Sequence, residues 1–396
     1  MKKQNLIFYI SILLFITLLY SNARAPETSE SAFALVNGML IDGTGAPPLL
    51  DAVLIVEDEH IKDVGHLKKI AIPEGAKVID VEGHTLIPGF INAHVHKGYN
   101  EHNLKTWAKN GVTTVRDLGG NPRNKLFAFR DRVNEDPKFA RLVAAGPMVT
   151  VPGGYPKVPW GSPSGLPVTS PDEAKEITNF LLDDGANIIK IALESGRSFG
   201  RKIPMLSLDE AKAIVAVAHH RKTIVSAHVL VSEDLEHALN AGVDDIAHMV
   251  TDNPSDELID RVVKQGVYWI PTLELWHGVN PRLRDIAIRN LHRFVKAGGL
   301  VALGTDYAGY RSRFDLGMPI REIRWMKEAG MTPMQIIVAS TKNAAHVCNL
   351  GDKIGTLEKG KIADVLIVKG NPLEDLEALL RLRLVIHNGE IIREVK

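Results

Sequence analysis

The sequence predicts an α/β fold, a (β/α)₈ TIM barrel flanked by a small β-sandwich that is built from both ends of the chain. Eight short apolar runs alternate with stretches of helical periodicity, as buried parallel strands do when helices connect them. Eight such units close a barrel. The alternative is a doubly wound open sheet, but no glycine-rich phosphate fingerprint follows the first run. The runs are residues 86–91, 112–115, 142–145, 188–192, 223–227, 245–247, 268–271 and 300–303.

The chain begins with a segment that is typical of a secretory signal peptide. Lys2 and Lys3 precede an apolar run at residues 6–20, and small residues follow up to Ala25. A basic start, a short apolar stretch and a small-residue cleavage site define such signals. The run is short for a membrane-spanning helix, which needs about 20 residues. We therefore expect residues 1–25 to be cleaved and the protein to be exported, periplasmic or secreted, without a membrane partner; an uncleaved anchor is the alternative.

The segments on either side of the apolar runs predict one β-module. Residues 26–85 contain short strand candidates and an Asn-Gly hairpin turn at residues 37–38. Residues 351–396 also contain strand candidates, with a second Asn-Gly turn at residues 388–389. We therefore expect the two segments to pair into a sandwich, and the barrel to occupy residues 86–350.

Composition and charge exclude several classes of function. Lys+Arg and Asp+Glu residues balance at 47 each, so no charge excess indicates a nucleic acid or an anionic membrane surface as partner. The single cysteine, Cys348, excludes a disulfide within the chain and a Cys-rich zinc site. The function must therefore be inferred from a local site.

Ligand-type side chains stand at the predicted C-terminal ends of several strands. Active sites of such barrels lie at this end, where the strands converge. His94 and His96 are two residues apart and therefore share one side of their strand. Taken singly, each residue has a structural alternative, such as a buried ion pair or a helix cap, but the joint pattern favours one site. The residues are His94, His96, Lys190, His228, His248 and Asp306.

Imidazole and carboxylate side chains in one place indicate a metal site. These ligands suit zinc, and also manganese or iron. A lysine ammonium cannot bind a cation, so Lys190 must be neutral or chemically modified if it lies among ligands. Carboxylation of Lys190 by carbon dioxide would convert the side chain into a bridging carbamate.

Three segments carry a resemblance to a known family. Residues 87–96, which end in His-Val-His, resemble the first metal motif of the amidohydrolase superfamily. Residues 355–364 resemble its entry into the C-terminal β-module. Residues 113–120 resemble the second strand of the branch that contains imidazolonepropionases, prolidase-like Xaa-Pro dipeptidases and ochratoxin-hydrolysing amidases. The resemblance covers essentially all of the chain that follows the signal segment.

The resemblance implies a ligand set. The histidine pair of the first motif and Asp306 would hold a first metal ion, and His228 and His248 would hold a second. A carboxylated Lys190 would bridge the two ions. Imidazolonepropionases use one metal and lack the lysine, so Lys190 favours the two-metal, peptidase-like arm of the branch. Zinc is the expected metal, with Mn²⁺ or Fe²⁺ as alternatives.

The resemblance also implies an activity, the hydrolysis of a C–N amide bond in a dipeptide or an N-acyl amino acid. A metal-activated hydroxide would attack the carbonyl, with Asp306 as general base and then general acid. Hydrolysis of a cyclic amide or lactone and deamination are alternatives on the same site. An inactive exported metal-binding protein is the alternative from another class. The expected partner is a small-molecule or dipeptide-like substrate, and a homo-oligomer is left open.

Two residues are candidates for substrate binding. Tyr155 lies in the loop after strand three, where it would donate to an oxyanion or pack the loop. Arg116 ends strand two, where it would bind a substrate carboxylate or pair with a neighbouring acid. Trp160 and Trp276 would wall an apolar pocket or take part in ordinary packing. Prolidase-like relatives have histidine where Tyr155 stands, so the sequence departs from their pattern at this position.

Overall fold

The computed structural model of the chain describes residues 32–120, 125–161, 165–310 and 313–395. The predicted signal peptide, residues 1–25, lies outside these ranges, so cleavage and export stay expectations. Within them, no helix has both the length and the apolar character that crossing a bilayer requires.

The order of elements separates strand-rich chain ends from a middle part in which strands and helices alternate. The strands are β1 (Phe33–Leu40), β2 (Leu49–Glu57), β3 (His60–His66), β4 (Lys77–Asp80), β5 (Thr85–Pro88), β6 (Phe90–Val95), β7 (Val112–Asp117), β8 (Arg141–Ala144), β9 (Met148–Thr150), β10 (Gly165–Pro167), β11 (Ile189–Ala192), β12 (Val225–His228), β13 (Asp245–Ala247), β14 (Tyr268–Ile270), β15 (Val365–Val368), β16 (Leu382–His387) and β17 (Glu390–Glu394). The α-helices are α1 (Glu101–Lys109), α2 (Leu126–Asn134), α3 (Lys157–Trp160), α4 (Pro171–Asp184), α5 (Leu208–His220), α6 (Ser232–Ala241), α7 (Asp256–Lys264), α8 (Leu273–Val279), α9 (Pro281–Lys296), α10 (Ile320–Glu328), α11 (Pro333–Ser340) and α12 (Lys342–Val347). Short 3₁₀ helices lie at Arg197–Phe199 and Leu376–Leu380.

The strands of the middle part run parallel and close into a ring. β6, β7 and β8 pair side by side, and β9, β11, β12, β13 and β14 continue the parallel order. β8 and β9 act as one interrupted strand, since only residues 145–147 separate them. Val301 then pairs with Trp269 of β14, and Tyr307 pairs with Val95 of β6, which closes the ring. The predicted α/β barrel architecture is therefore confirmed.

Capping groups fix where the covering helices begin. Ser207 Oγ accepts the backbone N–H of Glu210, and a carboxylate oxygen of Glu210 accepts the backbone N–H of Ser207 at 2.8 Å. This reciprocal capping box satisfies donors that a helix start leaves free. α4 begins in a related way, with Ser170 as N-cap and Pro171 in its first turn. The apolar faces of these helices pack on the strands in one large core.

Both chain ends contribute to one β-sheet beside the barrel. Its strand order is β17-β16-β15-β5-β1-β2-β3, and β4 pairs with β1. The two chain ends meet where β5 and β15 pair antiparallel, and a separate apolar cluster fills the module. The first apolar run divides at Gly89 between β5 of the module and β6 of the barrel. Gly89 cannot carry a side chain, because a Cβ there would lie 2.2 Å from Thr113 Oγ1.

Candidate metal centre

The six predicted ligand-type residues converge on one cavity of about 600 Å³ at the C-terminal ends of the barrel strands. The four histidines stand near or just after the C-terminal ends of β6, β12 and β13, whereas Lys190 is the second residue of β11. Asp306 follows Val301, which pairs with β14. In barrels this rim carries the functional side chains, because it gathers residues from distant parts of the chain. The cavity-lining residues of this set are His94, His96, Lys190, His228, His248 and Asp306.

A first cluster joins the His-Val-His pair to Asp306. The Nε2 atoms of His94 and His96 lie 3.1 and 3.0 Å from Asp306 Oδ1, and one ligand atom from each residue falls within 4.8 Å of the others. Asp306 adopts a left-handed backbone with φ of 58°. Gly309 leaves room for its carboxylate, since a Cβ there would lie 2.2 Å from Asp306 Oδ2.

The protonation states of His94 and Asp306 suit a cation, whereas contact with Asp306 raises the pKa of His96 above its ordinary value although burial alone would lower it. Burial lowers the pKa of His94 to about 3, so its ring is neutral and offers a lone pair. Burial alone would raise the pKa of Asp306, but contacts with His94 and His96 hold it well below its ordinary value. A neutral imidazole and an ionised carboxylate at contact distance are the forms that bind a divalent metal.

A second cluster is formed by His228 and His248. His228 Nδ1 lies 3.1 Å from His248 Nε2, and burial lowers the pKa of both rings well below the ordinary histidine value. The other nitrogen of His248, Nδ1, is 3.0 Å from Thr272 Oγ1. The other nitrogen of His228, Nε2, faces Glu194 Oε2 at 4.0 Å. Each ring therefore turns one nitrogen toward its partner histidine and one toward a supporting oxygen.

Sequence reasoning missed these supporting groups. Glu194 is 1% exposed and Thr272 is fully buried. Glu194 follows Lys190 by four residues, and Thr272 follows the seventh apolar run, so both stand near strand ends like the predicted ligands. Asp117 was noted only as part of a motif; its carboxylate accepts N–H groups of Gly98 and Gly119 at 2.7 and 3.0 Å, and so ties two rim loops together.

Lys190 lies in the same cavity without a polar partner. Its side chain is 1% exposed, and Nζ has no hydrogen-bond partner among the described residues. Burial lowers the pKa of Lys190 to about 7, so a large share of the amine is neutral near neutral pH. A buried polar atom without a partner is costly and calls for a missing group.

The donor set fits divalent metal ions bridged by a modified lysine. His94 Nδ1, Lys190 Nζ and His228 Nε2 are all buried and lack hydrogen-bond partners within the described ranges. Nitrogen and carboxylate oxygen donors of this kind suit zinc, manganese or iron. The types of side chain present and their unpartnered buried atoms therefore both indicate a metal site.

The structure corrects the prediction that Arg116 binds substrate. Its guanidinium is fully buried and forms two hydrogen bonds with Asp245, at 2.7 and 3.1 Å. The guanidinium also donates hydrogen bonds to the backbone oxygens of Ala93 and Val347, both at 2.6 Å. Arg116 does not line the cavity. The alternative, pairing with a neighbouring acid, is what the structure shows.

Tyr155 lies at the cavity, as predicted for a substrate-binding residue. Its ring stacks on the ring of His228, with centroids 4.0 Å apart and planes 18° apart, and lines the cavity. This contact is compatible with either role predicted for Tyr155. Trp276 also lines the cavity, with its ring centroid 6.2 Å from that of His248. The side chain of Trp160, the other predicted wall, lies outside what the structure describes.

The sequence and the fold are similar to those of known hydrolases. Residues 85–392 match a family described as the amidohydrolase family. Ochratoxinase from Aspergillus niger is 27% identical over 425 residues, which cover 91% of this chain and 86% of the relative. A solved Xaa-Pro dipeptidase with bound methionine in its active site is 26% identical, with a TM-score of 0.76 and coverage of 91% of this chain and 99% of that chain. A putative prolidase from Bifidobacterium longum is 29% identical, with a TM-score of 0.77 and coverage of 91% and 94%.

Proposed function

The chain belongs to the amidohydrolase family, and from this premise we propose that it is a metal-dependent amidase whose substrate is a dipeptide or an N-acyl amino acid. Its relatives make it a hydrolase of carbon–nitrogen bonds. One observation carries the proposal: the buried, unpartnered Nζ of Lys190 shares a cavity with two pairs of histidines and an aspartate. A structural lysine would have an acid or a carbonyl within reach.

Two zinc ions fit the donors, with manganese or iron as alternatives. His94, His96 and Asp306 would hold one ion, and His228 and His248 the other. A carboxylated Lys190 would bridge them. In that modification the neutral Nζ attacks the carbon of CO₂; an N–C bond forms, one C–O π bond breaks to leave a carboxylate, and the nitrogen releases a proton.

A side chain of the protein then transfers the proton during hydrolysis. Divalent cations bound here would lower the pKa of water toward neutrality and polarise the substrate carbonyl. Asp306 is the base: a carboxylate oxygen accepts the proton of the attacking water and returns it to the leaving nitrogen as the C–N bond breaks.

The proposal is tested by replacing Asp306 with asparagine. We expect metal-loaded Asp306→Asn protein to lose about 10²–10⁴-fold in turnover of N-acyl amino acids, the range for a removed general base. Released amine is measured together with metal content, because Asp306 is also a proposed ligand. Turnover close to wild type, with metal retained, would remove Asp306 from the mechanism.

The same assay separates the alternative reactions. The panel contains dipeptides, N-acyl amino acids, lactams, lactones and aminated heterocycles. Turnover of lactams, lactones or amines alone would move the protein to cyclic-amide hydrolysis or deamination. Metal binding without turnover of any compound would leave the inactive metal-binding protein.

We also propose that residues 1–25 direct export. The support is the basic start and the apolar run of the sequence, at residues 2–3 and 6–20. Mass spectrometry of the protein recovered from its native host would give a mature N-terminus after Ala23 or Ala25. An intact N-terminus in the membrane fraction would instead favour the anchor.

A further inference from the structure

The cavity that holds the candidate ligands is lined by apolar and aromatic side chains together with a few polar ones, among them Ser198 and Thr251. Six residues from separate loops and helices form what we call the apolar wall. They come from the loop before α3, the 3₁₀ turn after β11, the loop after β12, and the helices α8 and α9. The apolar wall consists of Tyr155, Phe199, Leu230, Trp276, Val279 and Leu283.

The apolar wall begins in contact with the second histidine cluster. Tyr155 stacks on His228 at 4.0 Å between ring centroids, and Phe199 stacks beyond Tyr155 at 6.4 Å with planes only 3° apart. On the other side Trp276 meets His248 edge to face at 6.2 Å. A substrate group next to the reacting carbonyl would therefore meet aromatic surface as soon as it leaves the histidines.

Charge in the cavity is scarce outside the proposed ligands. Lys97 is the charged side chain that remains in the lining once Lys190 and Asp306 are set aside, within the part of the chain that the structure describes. It is exposed, and it makes no ion pair with a described residue. An ammonium at the rim of an apolar cavity favours an anionic group on the ligand.

The size of the cavity points to a bulky ligand. Its volume of about 600 Å³ falls within the range of about 300–1,000 Å³ that buries drug-sized molecules. Val279, at the outer part of the apolar wall, is 38% exposed. A polar side chain packed against the apolar wall would lose bonds to water that the six wall residues replace poorly, which is unfavourable. A large apolar side chain would cover this surface.

From the apolar wall and Lys97 we infer that the site selects amides of amino acids with a large aromatic or branched aliphatic side chain and a free carboxylate. The apolar group packs on the apolar wall, and the carboxylate is attracted to Lys97. This inference rests on the proposed amidase function and names its substrate class.

The first experiment compares substrates on the metal-loaded protein. N-Acetyl derivatives of phenylalanine, leucine, alanine and serine are offered as free acids, and released acetate is measured. We expect kcat/KM for phenylalanine and leucine to exceed that for alanine and serine by at least about tenfold, as apolar pockets discriminate between side chains. Equal rates across the panel, or a preference for serine, would overturn the inference.

Matched valine variants test the apolar wall. Val279→Asp places a carboxylate in the lining, and Val78→Asp makes the same change at a valine that is 54% exposed in β4 and remote from the cavity. We expect Val279→Asp to lower kcat/KM for N-acetyl-phenylalanine by about tenfold while changing that for N-acetyl-alanine little. Val78→Asp should change neither. An equal loss for both substrates in Val279→Asp would contradict selection by this surface.

Matched lysine variants test the carboxylate contact. Lys97→Gln removes the rim charge, and Lys68→Gln removes an exposed lysine of the β-module. We expect Lys97→Gln to raise KM for N-acetyl-phenylalanine several-fold, but not for its carboxamide, which has no charge to lose. Lys68→Gln should change neither value. A similar rise for acid and carboxamide would remove Lys97 from substrate recognition.

A binding measurement separates this inference from the proposed function. Calorimetric titration with N-acetyl-L-phenylalanine and N-acetyl-L-alanine needs no turnover. Tighter binding of the phenylalanine derivative without hydrolysis would support the substrate-binding inference and contradict the amidase proposal. Hydrolysis without any preference in binding or rate would contradict the inference and leave the amidase proposal intact.

Discussion

Lys190 is the residue whose surroundings most constrain the chemistry. Its amine is buried without a hydrogen-bond partner in the described part of the chain, and burial lowers its pKa to about 7. The uncharged amine is the form that reacts with carbon dioxide. A carbamate in this place would replace the missing hydrogen-bond and ion-pair partners with metal contacts.

If Lys190 is carboxylated as we propose, metal loading will depend on bicarbonate. After removal of metal with a chelator and exhaustive degassing, we expect the wild-type protein to regain full zinc content only when bicarbonate is supplied. Lys190→Met should bind less zinc and show no response to bicarbonate, since it has no amine to carboxylate. Zinc content is measured after gel filtration. Full reloading of the wild type without bicarbonate would exclude the carbamate.

Glu194 is the second residue considered at this scale, because its carboxylate faces His228. Glu194 Oε2 and His228 Nε2 are both buried and face each other at 4.0 Å, and neither has a hydrogen-bond partner among the residues that the structure describes. A small approach would let Nε2–H donate to the carboxylate and leave Nδ1 free for a metal. Supporting groups of this kind fix the tautomer and the orientation of ligating histidines.

Removal of Glu194 should therefore weaken metal binding. We expect Glu194→Ala to lower zinc affinity by about 10–100-fold, the usual cost of losing such a partner. Glu194→Gln, which keeps an acceptor oxygen, should recover much of the affinity. Competition with a chromophoric chelator measures both, with Glu176→Ala on the exposed face of α4 as control. Unchanged zinc affinity in Glu194→Ala would show that the carboxylate only stabilises its own loop, where it accepts the backbone N–H of Gly196.

At the scale of single residues, the sequence predicts the candidate ligands but not the residues that contact their neighbours. His94, Lys190 and Asp306 could be predicted because they lie in or just after the apolar runs that mark the barrel strands. The two predicted roles of Arg116 could not be separated from the sequence, because its partner, Asp245, is 129 positions away and carries no local signal. Only the closed barrel brings the two together.

At the scale of the elements, the start of helix α8 is fixed by a residue from a distant helix. Thr272 precedes it in a left-handed conformation with φ of 49° and makes no side-chain capping bond. The carboxylate of Glu322 from α10 instead accepts the backbone N–H groups of Leu273 and Glu274 at 2.9 and 2.7 Å. Since α8 carries Trp276, this contact positions part of the apolar wall.

Loss of that contact should affect stability and substrate choice together. Glu322→Ala leaves two buried N–H groups without an acceptor, which costs about 1–3 kcal/mol of unfolding free energy per unsatisfied group. We expect the displaced α8 to lower kcat/KM for bulky apolar substrates while zinc content is kept. Urea unfolding and the acetate-release assay measure the two effects. Glu328→Ala, an exposed glutamate of the same helix, should alter neither; equal behaviour of the two variants would contradict the capping role.

The strand pattern was predictable at the element scale, and the interruptions were not. Buried parallel strands are apolar throughout, so their runs stand out in the sequence. The break between β8 and β9 depends on Gly146, whose backbone has φ of 71°, and on Phe127, which would lie 2.8 Å from a Cβ there. Phe127 lies in α2, the helix that precedes β8, and the apolar runs alone do not indicate this contact.

For the whole molecule, the β-module and the barrel are joined by a buried ion pair. Arg141 of β8 donates to Asp364, which precedes β15, at 2.7 Å. The side chains are 12% and 5% exposed. Asp364 also accepts the backbone N–H of Asn388 at 3.0 Å. The pairing of the chain ends could be predicted from their strand content, whereas this joint could not, since its two charges are 223 positions apart.

The Arg141–Asp364 ion pair makes the contact between the barrel and the β-module sensitive to low pH. Burial would raise the pKa of Asp364, but Arg141 and His387 hold it below its ordinary value. The unfolded chain has an aspartate pKa of about 3.9. The stabilisation is therefore fully present above that value, and it is lost as pH falls through the lower pKa of the folded state.

Replacing Asp364 with asparagine tests this joint. We expect Asp364→Asn to lower the free energy of unfolding at pH 7 by about 3–5 kcal/mol, because Arg141 is left buried without a counter-charge. The difference from wild type should shrink as pH falls below about 4, where wild-type Asp364 also becomes protonated. Urea unfolding across this pH range measures it. Asp375→Asn, which breaks an exposed pair with Arg381, should have little effect; a difference in Asp364→Asn that stays constant with pH would mean that the carboxylate acts through packing and not through its charge.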